Sequence, residues 1–147
     1  MNRKISLGVT ILLGLCLSFF TSCDDDNDDP SKPEITLEEV GHENSKAVAP
    51  GSDLHLEAII TAEGIIKQID VEIHQEDGSY EIEESYTDSK YVGVKNVTFH
   101  EHIDIPADAP EGDYHLHLTV TDEMGQTSTA EAELSVNAEA EHSDHEH

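Results

Sequence analysis

The chain has 147 residues, enough for one domain, and carries 33 acidic residues against seven lysines and arginines, a net charge of −26 at pH 7. From Cys23 onward it contains five lysines and no arginine. Without a basic patch to neutralise phosphates, nucleic acid is excluded as a natural partner, and cations or cationic surfaces are favoured.

The N-terminal segment predicts export and lipid attachment. Arg3 and Lys4 precede an apolar run that is too short, and wrongly flanked, for a membrane span. The block Phe20-Thr21-Ser22-Cys23 resembles the lipobox of bacterial lipoproteins, which implies a diacylglyceryl group on the Cys23 thiol. We expect residues 1–22 to be a signal peptide and acylated Cys23 to hold the protein on a lipid membrane. A short transmembrane anchor is the alternative.

Residues 23–32 predict an acidic tether between the lipid and the domain. Like charges keep such a segment solvated and extended. An acidic run directly after a lipidated cysteine resembles the export signal that sends some Gram-negative lipoproteins to the outer cell surface. We therefore expect an outer-membrane protein at the cell surface, with a periplasm-facing position as the alternative. A calcium loop is disfavoured because the run lacks the required ligand spacing.

Residues 33–136 alternate apolar and polar side chains between turn signals and have no helical periodicity. The predicted strands are Glu34–Val40, Asp53–Ile60, Ile65–His74, Tyr80–Tyr86, Val97–Ile105, Asp113–Asp122 and Thr127–Val136. Seven strands in about 100 residues predict an all-β, immunoglobulin-like β-sandwich. Residues 137–147, which are acidic and rich in histidine, predict a disordered tail.

Finer predictions concern four side chains within these strands. Ile65 is expected to begin the inward row of its strand, with Lys67 interrupting that row. Tyr114 is expected to form a tyrosine corner, with its hydroxyl on upstream backbone. Glu101 falls on the inward row of its strand, which requires a bulge or an edge position. Either arrangement could also tilt the neighbouring histidines, His100 and His102, away from each other.

Several blocks together resemble one family: bacterial cell-surface lipoproteins defined by a domain of unknown function with an immunoglobulin-like fold. The resemblance covers residues 33–136 and implies fold and location, but no activity and no site. The blocks are Gly41-His42-Glu43-Asn44-Ser45, Pro50-Gly51-Ser52-Asp53-Leu54-His55-Leu56, His100-Glu101-His102-Ile103-Asp104-Ile105-Pro106, and Gly112 through Gly125.

Histidine is the residue type that suggests a metal-binding function, because the chain from Cys23 onward has ten histidines, twice its number of lysines. Two His-x-His pairs, His100/His102 and His115/His117, fall within predicted strands. Residues i and i+2 of a strand face the same side, so the imidazoles of each pair can converge on one ion. A solvent-facing polar row that accepts histidine is the alternative reading.

Neighbouring strands should supply further ligands. In the usual immunoglobulin-like strand order the second and fifth strands pair, so His55 would join His100 and His102, with Glu57 nearby. The third and sixth strands pair in the other sheet, where His115 and His117 would meet Glu72 or His74. The two pairs would then form two separate sites. His42 lies in a loop that the pattern leaves unplaced.

The expected function follows from these ligands. Imidazole and carboxylate, without thiolate, suit Zn²⁺ or Cu²⁺. We predict a non-catalytic lipoprotein that binds such an ion through His55, His100, His102, His115 and His117, with a metal-uptake receptor or another surface protein as partner. The alternative is an adhesive or structural immunoglobulin-like module. The tail, with His142, His145 and His147, has a metal-binding composition or is only a solvated terminus.

Overall fold

The structure, a computed structural model, describes residues 30–140. This part of the chain contains eight strands and one short 3₁₀ helix. They are β1 (Glu34–Val40), the 3₁₀ helix (His42–Asn44), β2 (Ala47–Val48), β3 (Asp53–Thr61), β4 (Ile66–Gln75), β5 (Glu81–Tyr86), β6 (Asn96–Asp104), β7 (Gly112–Asp122) and β8 (Thr127–Val136). The seven predicted strands are all present, close to their expected bounds.

The strands form two sheets that pack face to face. One sheet has the order β1-β3-β6 and the other has the order β2-β8-β7-β4-β5. The pairing of β3 with β6 and of β4 with β7 is the arrangement expected of an immunoglobulin-like sandwich. The addition is β2, which pairs in parallel with the end of β8 and, at two residues, is too short to produce a periodicity in the sequence.

The core lies between the sheets and is filled by the inward rows of both. On β3 the side chains of Leu54, Leu56, Ala58 and Ile60 are fully buried, as their alternation predicts. Phe99 contributes the largest apolar side chain of β6, and Tyr86 and Tyr91 pack against its ring. Because every second residue is committed to this core, the polar residues between them must line the outer faces.

Two features of the five-stranded sheet test the predictions made for Tyr114 and Ile65. The Tyr114 hydroxyl donates a hydrogen bond to the Pro110 carbonyl oxygen at 2.8 Å, so the predicted tyrosine corner is confirmed. The expectation for Ile65 is wrong: its side chain is exposed, and Ile66 is the fully buried residue. The pairing of β4 with β7 shifts register between Ile66 and Gln68, and this bulge leaves Lys67 exposed outside the inward row.

Glu101 lies on the inner row of β6, and an edge position accommodates it without a bulge. β6 is the edge of its sheet and keeps one continuous register with β3. The segment before β6 covers the carboxylate: Lys90 Nζ and the buried Tyr91 hydroxyl each lie 2.6 Å from Glu101 Oε1. Burial acts to raise the pKa of Glu101, but these hydrogen bonds outweigh it and hold that pKa below its ordinary value.

Replacing Tyr91 with phenylalanine should lower the free energy of unfolding by about 1–3 kcal/mol, because this buried hydroxyl shares its one proton between the Glu101 carboxylate and the His100 carbonyl oxygen, which is 2.5 Å away. The control is Tyr80→Phe, whose hydroxyl lies 3.4 Å from Asp108 at the exposed surface. Urea unfolding measures both. Since folding lowers the pKa of Glu101, its stabilising contribution is complete above the ordinary glutamate pKa and is lost as pH falls through the lowered value. Equal losses in the two variants, or a Tyr91→Phe loss that does not shrink in acid, would contradict this account.

No helix in residues 30–140 is long and apolar enough to cross a membrane. The predicted signal peptide, Cys23 and the tail histidines (His142, His145 and His147) lie outside the described residues.

Candidate metal centre

The outer face of the three-stranded sheet carries three imidazoles. Burial of the alternate residues of β3 turns Asp53, His55 and Glu57 outward. On β6, burial of the residues on either side turns His100 and His102 outward in the same way. The core pattern of two neighbouring strands therefore directs all of these side chains to one surface.

The register of β3 with β6 brings the imidazoles together. His55 lies directly opposite His102, and Glu57 lies opposite His100. The ring centroid of His55 is 5.0 Å from that of His102 and 4.7 Å from that of His100. The rings of His100 and His102 are inclined by 37° but their centroids are only 5.6 Å apart, so the edge position of β6 does not separate them. One ring nitrogen from each histidine lies within 4.8 Å of the others, so together they could hold a metal ion.

Carboxylates contact the Nδ1 nitrogens of two of these rings, those of His55 and His102. Glu39 Oε1 lies 3.4 Å from His55 Nδ1, and an Asp53 oxygen contacts His102 Nδ1. A carboxylate that accepts a hydrogen bond from Nδ1–H fixes the tautomer whose lone pair lies on Nε2, and it makes that nitrogen more basic. This carboxylate–histidine arrangement is the one that commonly orients metal-binding histidines in proteins.

His55 is at the centre of the cluster, and its Nε2 atom is buried without a hydrogen-bond partner. A carboxylate oxygen of Glu57 lies 4.0 Å away, which is too long for a hydrogen bond. Its side chain is 17% exposed, whereas His100 and His102 are exposed. A buried polar atom without a partner is uncommon and calls for an explanation, and a bound ion would supply the missing interaction.

Glu39 is a residue that the strand alternation did not identify. The pairing of β1 with β3 shifts register between Leu37 and Glu39, and this bulge places Glu39 opposite Glu57, close to His55. Bulges commonly re-aim a side chain beside a functional site. The signal in the sequence is the pair Glu38-Glu39 between inward Leu37 and Val40, because simple alternation allows one polar residue there.

The second His-x-His pair lies on the outer face of the other sheet, as predicted, but its two rings do not converge on each other. The centroids of His115 and His117 are 6.5 Å apart. His115 lines an open surface cavity with Lys46 and Glu133. His117 instead approaches His74 across the β4–β7 pair, with 3.0 Å between their Nε2 atoms. His74, named above only as one alternative partner, is therefore the nearer companion of His117.

His42, which the sequence left unplaced, lies in the 3₁₀ helix between β1 and β2, where it is exposed. It borders a surface cavity together with Ser45 and Glu139. Among the described residues, the groups of side chains that lie close enough together to hold a metal ion do not include His42.

The fold and these side chains define the class of the domain. It is a β-sandwich of immunoglobulin-like type with histidine clusters on its outer faces. The chain belongs to the DUF4625 family, a domain of unknown function, whose family model matches residues 21–137. No curated protein matches the chain by sequence.

Solved structures resemble the chain in fold. Catalytically inactive OgpA from Akkermansia muciniphila, in complex with an O-glycopeptide substrate, is 14% identical with a TM-score of 0.52, and wild-type OgpA is 17% identical with a TM-score of 0.51. Each match covers 71% of this chain but only 29% of the OgpA chain. A Niemann-Pick type C2 protein from the Japanese carpenter ant is 9% identical, with a TM-score of 0.48 and coverage of 74% and 95%. The likeness to OgpA concerns the sandwich fold alone.

Proposed function

We propose that this protein is a non-catalytic, lipid-anchored surface lipoprotein that binds a divalent transition-metal ion, Zn²⁺ or Cu²⁺, through His55, His100 and His102. The observation that carries the proposal is the buried, unpartnered Nε2 of His55 beside two further imidazoles. Nitrogen ligands with nearby carboxylates suit either ion, and the exposed rings of the other two histidines leave the site accessible from solution.

The charge of the chain supports the same function. Its net charge of −26 raises the local concentration of cations, and Glu39 and Glu57 add negative charge directly beside His55. Of the two, Glu57 lies on the Nε2 side of the ring, 4.0 Å from that nitrogen, and so can join the coordination shell, whereas Glu39 lies on the Nδ1 side. An ion held at an open surface site is readily passed on, so a metal-uptake receptor or another surface protein is the proposed partner.

Membrane attachment is the second part of the proposal and rests on the lipobox-like block that ends at Cys23. Acyl chains on Cys23, followed by the acidic tether, would hold the domain at the outer membrane and facing the cell exterior. Each buried CH₂ group contributes about 0.8 kcal/mol, so several chains would anchor the protein firmly even though its charge repels anionic lipids.

The test of metal binding is a calorimetric titration of Zn²⁺, and separately of Cu²⁺, into a chain whose tail cannot contribute imidazoles. This tail-substituted chain carries His142→Asn, His145→Asn and His147→Asn. We expect saturable binding that weakens on acidification, because protons compete with metal for imidazole nitrogen. In the same chain, Glu39→Gln should weaken binding about 10- to 100-fold, since it removes the charge that orients His55.

Glu38→Gln is the matched control, because Glu38 is the neighbouring residue on β1 but is exposed. It should leave the affinity within about twofold of that of the tail-substituted chain. No binding at neutral pH would overturn the proposal and leave an adhesive or structural interaction module as the function to test. Equal effects of the two glutamate substitutions would argue against the role given to Glu39.

A further inference from the structure

A second pair of imidazoles lies on the outer face of the five-stranded sheet. His74 on β4 and His117 on β7 lie diagonally across one antiparallel strand pair, since the register places His74 opposite His115 and Glu72 opposite His117. The rings of His74 and His117 are nearly parallel, at 7°, and their centroids are 5.0 Å apart. Their Nε2 atoms approach to 3.0 Å.

The Nδ1 atom of His117 repeats the arrangement described for His55. β8 pairs His117 with Glu131, and Glu131 Oε1 lies 3.3 Å from His117 Nδ1. A proton on Nδ1, beside this carboxylate, would leave the lone pair of His117 on Nε2, the atom that faces His74. The same carboxylate–histidine geometry therefore occurs on both outer faces of the sandwich, built from different strands.

The spacing of the two nitrogens fits ligation of a common ion. At a metal–nitrogen distance of about 2.0–2.1 Å, two ligands lie about 3.3 Å apart in a tetrahedral site and about 2.9 Å apart in a square-planar one. The observed 3.0 Å lies between these values, so an ion could replace the hydrogen bond between the two Nε2 atoms, with release to solvent of the proton that the two nitrogens share.

Carboxylates surround this pair as well. Glu72 lies opposite His117 on one side and opposite Glu83 of β5 on the other. One oxygen each from Glu72, Glu81 and Glu83 lies within 4.8 Å of the others. These acidic groups attract a cation to this face, and water or carboxylate oxygen can occupy the remaining coordination positions.

We infer that His74 and His117 form a second site for a divalent transition-metal ion. The inference extends the proposed function to a second ion of the same class but uses none of the ligands of the first site. Because packed sheets are about 10 Å apart, ions on the two outer faces should bind independently. The sandwich would then carry two ions per chain, one on each face.

The test compares two double variants of the tail-substituted chain by calorimetric titration with Zn²⁺. The tail-substituted chain without further changes should bind two equivalents of Zn²⁺. His74→Ala with His117→Ala should remove one equivalent and leave the other, and His100→Ala with His102→Ala should remove the complementary one. His115→Ala is the matched control: its ring lies beside that of His74, with 5.5 Å between the centroids, but His115 is not one of the two ligands assigned here, so its loss should remove no equivalent.

The outcomes separate this inference from the proposed function. Binding of a single ion that is lost only with His100 and His102 would overturn the second site and leave the first. Binding of a single ion that is lost only with His74 and His117 would support the second site and overturn the first. No binding would overturn both, and loss of an equivalent in His115→Ala would overturn the ligand pair assigned here.

A second measurement needs no substitution of a ligand and so does not depend on whether the variants fold. Nitrogen-15 spectra of the imidazoles in the tail-substituted chain, recorded during addition of Zn²⁺, distinguish the two ring nitrogens of each histidine. The Nε2 resonances of His74 and His117 should shift together, while the Nδ1 resonance of His117, which lies beside Glu131, remains nearly unchanged. Unshifted Nε2 resonances at saturating Zn²⁺ would overturn the inference.

Discussion

Replacing His55 with alanine should reduce the affinity of the three-stranded sheet for Zn²⁺ by more than about 100-fold, beyond the range typical for loss of an orienting residue. The ring of His55 is the one that approaches both His100 and His102, so its removal leaves two exposed imidazoles without a central partner. The titration is best made in the tail-substituted chain that also carries His74→Ala and His117→Ala, so that this cluster alone is measured.

His42→Ala in the same background is the control for the number of imidazoles. His42 is exposed in the 3₁₀ helix, apart from the clusters on the sheets, and its loss should leave the affinity unchanged. Similar affinities for the His55→Ala and His42→Ala chains would mean that zinc is bound by scattered surface histidines. The assignment of His55 as a ligand would then be wrong.

Replacing Cys23 with serine should abolish membrane association and release the whole domain in soluble form. The reason is that serine lacks the thiol that accepts the diacylglyceryl group, and the acidic domain has no affinity of its own for an anionic surface. Fractionation of cells, with mass spectrometry of the N-terminal peptide, measures both the location and the acylation of the chain.

Cys16→Ser provides the matched control because Cys16 falls within the predicted signal peptide, which is removed on lipidation. That variant should remain membrane-bound and acylated. Unchanged membrane retention of the Cys23→Ser chain would refute lipid anchoring, and release of the Cys16→Ser chain would point to a fault in export rather than to loss of the anchor.

Most of the fold could be predicted because a two-sided sandwich imposes a period of two on every strand that contributes to its core. The run Leu54, Leu56, Ala58 and Ile60 is a full row of this kind, and the structure confirms it. The prediction for Ile65 was wrong because a bulge beside Ile66 changes which residue faces inward. Bulges add one residue locally and leave no periodic signal, so alternation alone cannot locate them.

The cluster of His55, His100 and His102 could be predicted in part, because it follows from the same alternation of inward and outward residues. Once β3 and β6 are recognised as neighbours, alternation places His55, His100 and His102 on one outer face. The orienting role of Glu39 was not predictable from alternation, since it depends on a bulge in β1. On the other sheet, spacing suggested that His115 and His117 act together, whereas the cross-strand contact joins His117 to His74. Spacing defines a shared face, but ring orientation decides which nitrogens meet.

The measurement that tests the central claim most directly is X-ray absorption at the zinc edge. The sample is the tail-substituted chain with His74→Ala and His117→Ala, loaded with one equivalent of Zn²⁺. We predict a first shell that contains three imidazole nitrogens at about 2.0–2.1 Å, with the multiple-scattering features of histidine rings. A shell of oxygen atoms without imidazole scattering would contradict the account, because zinc would then be held by the acidic surface and not by His55, His100 and His102.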